Sequence, residues 1–423
     1  MKILHLAMHE NTGAGRAAMR LHLGLLQEQI DSSMFVFDKS SDLSSVIKPS
    51  NRVKLYKLLQ TKASAAVLEK LFKCQTTFSI NASPSLIHSQ IDSLNADILN
   101  FHWIGREFLS IEELKTFKVP LVWTLQDMWP FTGGCHYNDG CTGYTEVCGA
   151  CPQLASHKKS DLSHWVWQRK AKAWKNLNLT IVTPSTWMAE CARKSSLFRD
   201  LRIEVVPFCL DTQQYRPVPQ ATARELLGLP QDKQLVLFGA LSATTDPRKG
   251  FQLLLPALQN LSQASWGDRI ELVVFGASQP KQPIDLGFKT HYLGNLHDDV
   301  SLRLVYSAAD VMIVPSTQES FGQTASESLA CGTPVVAFNA TGLMDIVDHQ
   351  QNGYLAKPYE VTDLARGIAW VLEDRDRFQK LQMRARKKAV QAFSLESQAQ
   401  QYISLYNHLL TNEQSKQQFK VRR

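Results

Sequence analysis

The chain has 423 residues, 44% of them apolar and 20% charged, with a formal net charge of +7. That length suits two α/β domains, each able to bury a core, and the composition excludes a disordered or low-complexity protein. No apolar run approaches the roughly 20 residues needed to cross a bilayer, the opening MKILHLAMHE reads as a strand rather than a signal peptide, and the modest positive charge does not by itself point to nucleic acid. A cytoplasmic protein is expected.

In chain order, Ile3 to Met8 forms an apolar strand, and His9-Glu10-Asn11-Thr12-Gly13-Ala14-Gly15-Arg16 opens a helix. A glycine turn after a first strand lets a ligand approach the backbone closely, although the full dinucleotide fingerprint is absent. Lys48, Arg52, Lys54, Lys57, Lys62, Lys70 and Lys73 then share one stretch with a single acid, Glu69. Interleaved with them are Val53, Leu55, Leu58, Leu59, Val67, Leu68, Leu71 and Phe72. The pattern is a basic amphipathic helix, suited to anionic lipid headgroups or, equally, to packing on its own domain.

Met34 to Phe37, Ile98 to His102, Leu121 to Leu125 and Leu179 to Thr183 are strand-like with helical patterns between them, which predicts a parallel sheet. Ligands meet such sheets at strand ends, so His102 and the Gln126-Asp127 pair are candidates there. His102 and Asp127 are chemically able to assist an acceptor hydroxyl; a lone His at a strand end is as often structural. Cys135, Cys141, Cys148 and Cys151 follow in the pattern C-x5-C-x6-C-x2-C. Four clustered thiolates in a cytoplasmic chain suit a closed structural zinc site, with metal-free thiols and redox chemistry as alternatives. Trp165, Trp167 and Trp174, among Arg169, Lys170, Lys172 and Lys175, have the look of a nucleic-acid stripe. Their helical spacing is read more simply as buried indoles, and no nucleic-acid partner is expected.

Val205-Val206-Pro207 to Arg216-Pro217 reads as a linker, after which the pattern restarts with strands at Gln234 to Gly239 and Ile270 to Gly276. Between them, Arg248-Lys249-Gly250 set two adjacent cations at a helix start, suited to a diphosphate; an exposed loop pair is the plain alternative. Ala309 to Phe338 is a βαβ unit, with a strand from Val311 to Pro315, a helix from Gln323 to Cys331 stopped by Gly332, and a strand from Pro334 to Phe338. Glu319 lies ahead of that helix, and Glu327 lies two turns further by the pitch of about 5.4 Å. A helix N-terminus suits phosphate, whereas carboxylates beside it accept hydrogen bonds from neutral sugar hydroxyls. One phosphate cradle with two polyol clamps describes a nucleotide-sugar pocket; two ordinary solvated Glu residues are the alternative.

Glu319, Ser320, Phe321, Gly322 and Glu327, with Ala330, Cys331, Gly332, Pro334, Val335 and Val336, resemble the E-x-F-G-x-x-x-x-E and A-x-G-x-P-V-V signature of retaining glycosyltransferases of the group 1 type. The resemblance spans nearly the whole chain and is strongest over 235–356. It implies the GT-B fold, two Rossmann-like α/β domains facing a cleft. The boundaries are 1–207 for an acceptor-side domain with a Cys-rich insert at 133–152, 208–390 for a nucleotide-sugar domain, and 391–423 for a returning helix and frayed tail. It implies donor-sugar contacts from Glu319 and from Phe321, Gly322 and Gln323, and a ribose contact from Glu327. Diphosphate contacts are implied from Lys249, a role extended to Arg248 because the family's earlier Arg is missing from ALSATT. The base would lie near Leu293 and Leu296, and Gly13 and Gly15 would line the site from the first domain. Members commonly carry His-Asp-Met-Trp, where this chain has Gln126 in place of the His, an amide that cannot take up a proton. Cys-rich inserts after Asp-Met-Trp occur in transferases resembling those for colanic acid and other exopolysaccharides. The resemblance therefore implies transfer from a nucleotide diphosphate sugar to a saccharide or lipid-linked saccharide at the inner face of the cytoplasmic membrane. No cofactor is implied for catalysis. A sugar-nucleotide epimerase and a non-catalytic donor-binding partner stay open.

Overall fold

The computed structural model describes residues 1–72, 74, 76–239, 246–279, 284–296 and 298–421. The chain divides into two compact units, one of Met1–Pro207 with Gln398–Arg423 and the other of Phe208–Ser397.

The first unit is built on β1 (Lys2–His9), β2 (Asp31–Asp38), β3 (Val46–Ile47), β4 (Ile98–Phe101), β5 (Leu121–Thr124), β6 (Leu179–Thr183) and β7 (Arg202–Val205). They form one sheet in the order β3-β2-β1-β4-β5-β6-β7, parallel throughout. Helices cover such a sheet on both faces, which is why β4, β5 and β6 are buried at every position and mostly apolar rather than alternating. Helix α1 (Gly13–Gln27) leaves β1 through a tight turn in which Thr12 Oγ1 accepts the Gly15 N–H. A Cβ at Gly15 would lie 2.2 Å from the His9 carbonyl oxygen, so that glycine is required by strand-to-helix packing alone. Helices α2 (Asn51–Phe72), α3 (His88–Ser93), α4 (Leu162–Trp174) and α5 (Thr186–Lys194) complete the unit. In α4, Trp174 is buried and donates to the Ile111 carbonyl at 2.8 Å, whereas Trp165 is exposed with Arg169 over its ring.

The second unit holds β8 (Gln234–Gly239), β9 (Ile270–Phe275), β10 (Thr290–Tyr292), β11 (Val311–Val314), β12 (Val335–Phe338) and β13 (Gly353–Ala356) in the parallel order β10-β9-β8-β11-β12-β13. Its helices are α6 (Gln220–Leu227), α7 (Phe251–Leu261), α8 (Asp299–Ala308), α9 (Gln323–Ala330), α10 (Val361–Glu373) and α11 (Arg375–Ala392). Helix α11 ends at Ala392, the chain turns through buried Phe393 and through Ser394, which bridges to Leu210, and it continues as α12 (Leu395–Val421). From Gln398 onward α12 belongs to the first unit. Tyr402 Oη lies 2.7 Å from Thr124 Oγ1, and Tyr406 Oη accepts from Asn100 Nδ2 at 2.8 Å.

Candidate functional site

In an open parallel sheet, a crevice forms outside the carboxyl ends of the strands where the strand order reverses direction. In the second unit that point lies between β8 and β11. The loop after β8 carries Arg248 and Lys249, and the loop after β11 carries Glu319. Lys249 Nζ donates to Glu319 Oε1 at 2.6 Å, and Ser316 Oγ donates to the same oxygen at 3.0 Å.

Two glycines make this approach feasible. Gly250 has φ +74, and a Cβ there would sit 1.8 Å from the Pro315 carbonyl oxygen, so only glycine lets the Lys249 turn lie against the end of β11. The contact is fastened by Thr317 N–H donating to the Arg248 carbonyl at 2.8 Å. Gly322, with φ +114, caps α9, and a Cβ there would lie 2.7 Å from Leu343 Cδ2. The loop after β12 closes the other side: Glu319 N–H donates to Thr341 Oγ1 at 3.2 Å, and Gly342 N–H donates to the Glu319 carbonyl at 3.0 Å.

Arg248 pairs with Asp246 at 2.6 Å, and Asp246 also caps the turn through the Arg248 N–H. Segment 240–245, where the family's earlier Arg is expected, lies outside the described residues. Glu327 is buried on α9 and accepts from Tyr306 Oη at 2.9 Å; burial and this carboxylate push the Tyr306 phenol well above its ordinary pKa. Phe321 is fully buried, with ring centroids 5.4 Å from Phe208 and 5.5 Å from Phe393, so it anchors the loop that carries Glu319 and Gly322. Gln323 opens α9. Leu293 and Leu296 are half-buried beyond β10, and the Leu293 N–H is held by the Val274 carbonyl at 2.8 Å. Tyr306, Ser316 and Thr341 were not legible as partners in the sequence, since each comes from a different loop or helix.

The first-unit candidates form two separate polar clusters. His102 is buried, with Nε2 3.0 Å from His5 Nδ1 and Nδ1 3.4 Å from Gln126 Nε2, and burial pushes its pKa down to about 3. Asp127 Oδ2 lies 2.5 Å from His136 Nδ1 and accepts from Trp103 Nε1 at 2.6 Å, while Oδ1 accepts the Trp129 N–H at 3.0 Å. His136 continues to Ser79 Oγ at 2.8 Å. His136 directly follows Cys135 and was masked in the sequence by the cysteine pattern. Gly13 and Gly15 stand at the start of α1.

The four cysteines lie in the loop after β5 as free thiols. Among the described residues, no group of three or more His, Cys, Asp or Glu side chains is arranged to hold a metal ion. The expected zinc site thus finds no coordination geometry here. Instead Cys148 Sγ accepts the Gly133 N–H at 3.1 Å and Cys141 Sγ accepts the Gly143 N–H at 3.4 Å. Burial raises the thiol pKa values of Cys135, Cys148 and Cys151, that of Cys148 to about 12.

Residues 220–390 match the family described as Glycosyl transferases group 1. The D-inositol 3-phosphate glycosyltransferase of Saccharomonospora viridis is 37% identical over 180 residues, which span 38% of this chain and only 40% of that protein. WcaC of Escherichia coli K12, named for glycosyl transfer in colanic acid biosynthesis, is 24% identical over 84% of this chain and 86% of its own length. Among solved structures, sucrose-phosphate synthase from Thermosynechococcus elongatus superposes over 97% of this chain and 100% of its own, with a TM-score of 0.69 at 20% identity. HepE of Anabaena, in complex with UDP-glucose, covers 96% of this chain and 100% of its own, with a TM-score of 0.62 at 18% identity. The second unit thus carries the match to the group 1 glycosyltransferases, and the chain as a whole has the GT-B fold.

Proposed function

We propose that the protein transfers a sugar from a nucleotide diphosphate sugar to a hydroxyl of a saccharide acceptor, with retention at the anomeric carbon. The observation that carries this reading is the meeting of Lys249 and Glu319 at the switch point of the second sheet, ahead of α9. A diphosphate arriving there would draw the Lys249 ammonium away from the carboxylate and meet Arg248 and the partial positive charge of the α9 N-terminus. Glu319, once released, would accept from donor-sugar hydroxyls, and Glu327, oriented by Tyr306, from the ribose. Negative charge growing on the leaving diphosphate would then be stabilised by fixed cations and backbone dipoles, which requires no divalent cation. Leu293 and Leu296 would flank the base. His102, Asp127, Gly13 and Gly15 belong to the unit that would serve the acceptor.

The similarity to WcaC supports a lipid-linked saccharide of a cell-surface polysaccharide as acceptor, handled at the inner face of the cytoplasmic membrane. The likeness to HepE supports a nucleotide-sugar donor. A non-catalytic donor-binding role is favoured by one observation: Gln126, at the position of the family's His, is a buried neutral amide turned toward His102.

Incubating the purified protein with a panel of nucleotide sugars and a membrane lipid extract tests these readings. Acceptor-dependent release of nucleoside diphosphate with incorporation of sugar is expected. Donor turnover without acceptor would indicate an epimerase, and binding without release a non-catalytic partner.

A further inference from the structure

Helix α2 turns polar side chains inward along its middle and leaves most of its large apolar ones outward. Its inward positions include Lys57, Thr61 and Ser64, spaced four and three residues apart and fastened to the loop around Glu107 by polar contacts, with Val53 and Leu68 packed on the core on either side of them. The buried Lys57 ammonium donates to the Glu107 carbonyl, Ser64 Oγ donates to Glu107 Oε1 at 3.0 Å, and Thr61 Oγ1 donates to the Arg106 carbonyl at 3.3 Å. The outward surface carries large apolar side chains: Leu55 and Leu59 are each 60% exposed, Leu58 51% and Val67 41%. A helix folded against its own domain in water buries its apolar stripe and solvates its polar one. Here four large apolar side chains stay outward while Lys57, Thr61 and Ser64 turn inward, and among the described residues of α2 only Val53 near one end and Leu68 near the other pack on the core of the unit.

The charges around this exposed face are of one sign apart from Glu69. Arg52, Lys62 and Lys70 are exposed on it, and Lys54 at its edge reaches Asp38 at 3.1 Å. Leucines projecting from a ring of long cationic side chains complement an anionic bilayer surface. The leucines enter the acyl boundary, and the ammonium and guanidinium groups remain at the level of the lipid phosphates. An acidic protein surface would satisfy the cations but leave four large apolar side chains without a hydrocarbon phase.

We infer that the outward face of α2 docks the first unit onto the surface of an anionic lipid bilayer. The inference does not depend on which sugar or acceptor the protein uses, and it is tested without any donor.

The full-length chain is sedimented with vesicles of phosphatidylcholine containing phosphatidylglycerol, and with vesicles of phosphatidylcholine alone. Binding to the anionic vesicles, weakened by added salt, is expected. Replacing Arg52, Lys62 and Lys70 together by Gln should weaken it about a hundredfold, from the contribution of roughly one interfacial charge per side chain. The double substitution Leu55→Gln, Leu59→Gln should abolish it while leaving the circular dichroism and melting temperature of the protein unchanged, because both side chains are exposed. Failure of the native chain to bind anionic vesicles at low salt, or undiminished binding by the leucine variant, overturns the inference. A dimeric mass in solution that the leucine variant converts to monomer, without lipid binding by the native chain, would also overturn it and assign the face to a second copy of the chain.

Discussion

The Lys249 ammonium and the Glu319 carboxylate, seventy positions apart in sequence, meet at 2.6 Å because β8 and β11 are neighbours in the sheet. The pair is only partly exposed, and the two opposite charges neutralise each other. A diphosphate would exchange one anionic partner of Lys249 for another. Replacing Lys249 by Met should therefore reduce kcat/KM by about 10² to 10³, the usual consequence of removing one fixed positive group from developing charge. The melting temperature should stay within a few degrees of the parent's. Steady-state kinetics with the identified donor and a thermal melt check both halves, and retention of full activity would remove Lys249 from the mechanism.

Gly250→Ala should damage the same site through the backbone. Its left-handed conformation costs about 1 to 2 kcal/mol for any residue with a Cβ, and the added atom would collide with the Pro315 carbonyl. The turn must move away from β11, so weaker donor binding is expected together with a loss of at least about 2 kcal/mol in urea unfolding. A variant as stable as the parent, with equal donor affinity, would contradict this account of the turn.

Tyr306→Phe isolates the support given to Glu327. Removing the hydroxyl takes one donor from a buried carboxylate, at a cost of about 1 to 3 kcal/mol in stability. Glu327→Ala should weaken donor binding by a similar amount and, in contrast to Tyr306→Phe, should not be rescued by any change at position 306. Calorimetric titration with the nucleoside diphosphate distinguishes the two variants.

Acid should unfold the first unit earlier than the second. His22 is buried with Nδ1 2.7 Å from Ser32 Oγ and Nε2 2.9 Å from Ser45 Oγ, and burial lowers its pKa to about 4. Burial lowers that of His102 to about 3, and holds that of His5 well below its ordinary value. The folded pKa lies below the unfolded one, so the unfolded chain binds the proton more readily. Their stabilisation is fully present above about pH 6.5 and is lost as pH falls toward 4. For His22 alone the loss by pH 5 is roughly 2 kcal/mol. Urea unfolding at pH 7 and pH 5 should show this, with a shallower pH dependence in His22→Gln.

The parallel sheets were legible because strands buried on both faces, such as Val311 to Val314 and Val335 to Phe338, appear as short unbroken apolar runs between turns. The ends of those runs shifted by a residue or so. Arg202–Val205, placed on the sheet edge and half-exposed, carries too weak an apolar signal to be read as a strand, and only its last residue was assigned, to the linker. The basic stretch was legible as a helix, but not the direction in which it faces: a sequence pattern gives the two stripes of a helix without saying which one the domain takes.

By itself, the sequence determined which local elements form and which residues are able to carry charge or accept a hydroxyl, since strand and helix periodicities, glycine turns and the Glu319-Glu327 spacing are properties of neighbouring residues. Only the tertiary structure decided the pairings. Lys249 with Glu319, Tyr306 with Glu327, His136 with Asp127 and His5 with His102 each join residues from different segments, and chain separation carries no information about which strand ends a parallel sheet sets side by side. The same holds for the cysteines. Their spacing is compatible with a metal, but the positions of their sulfurs depend on how the loop folds over Gly133 and Gly143, and there backbone N–H groups take up two of the sulfurs as hydrogen-bond acceptors.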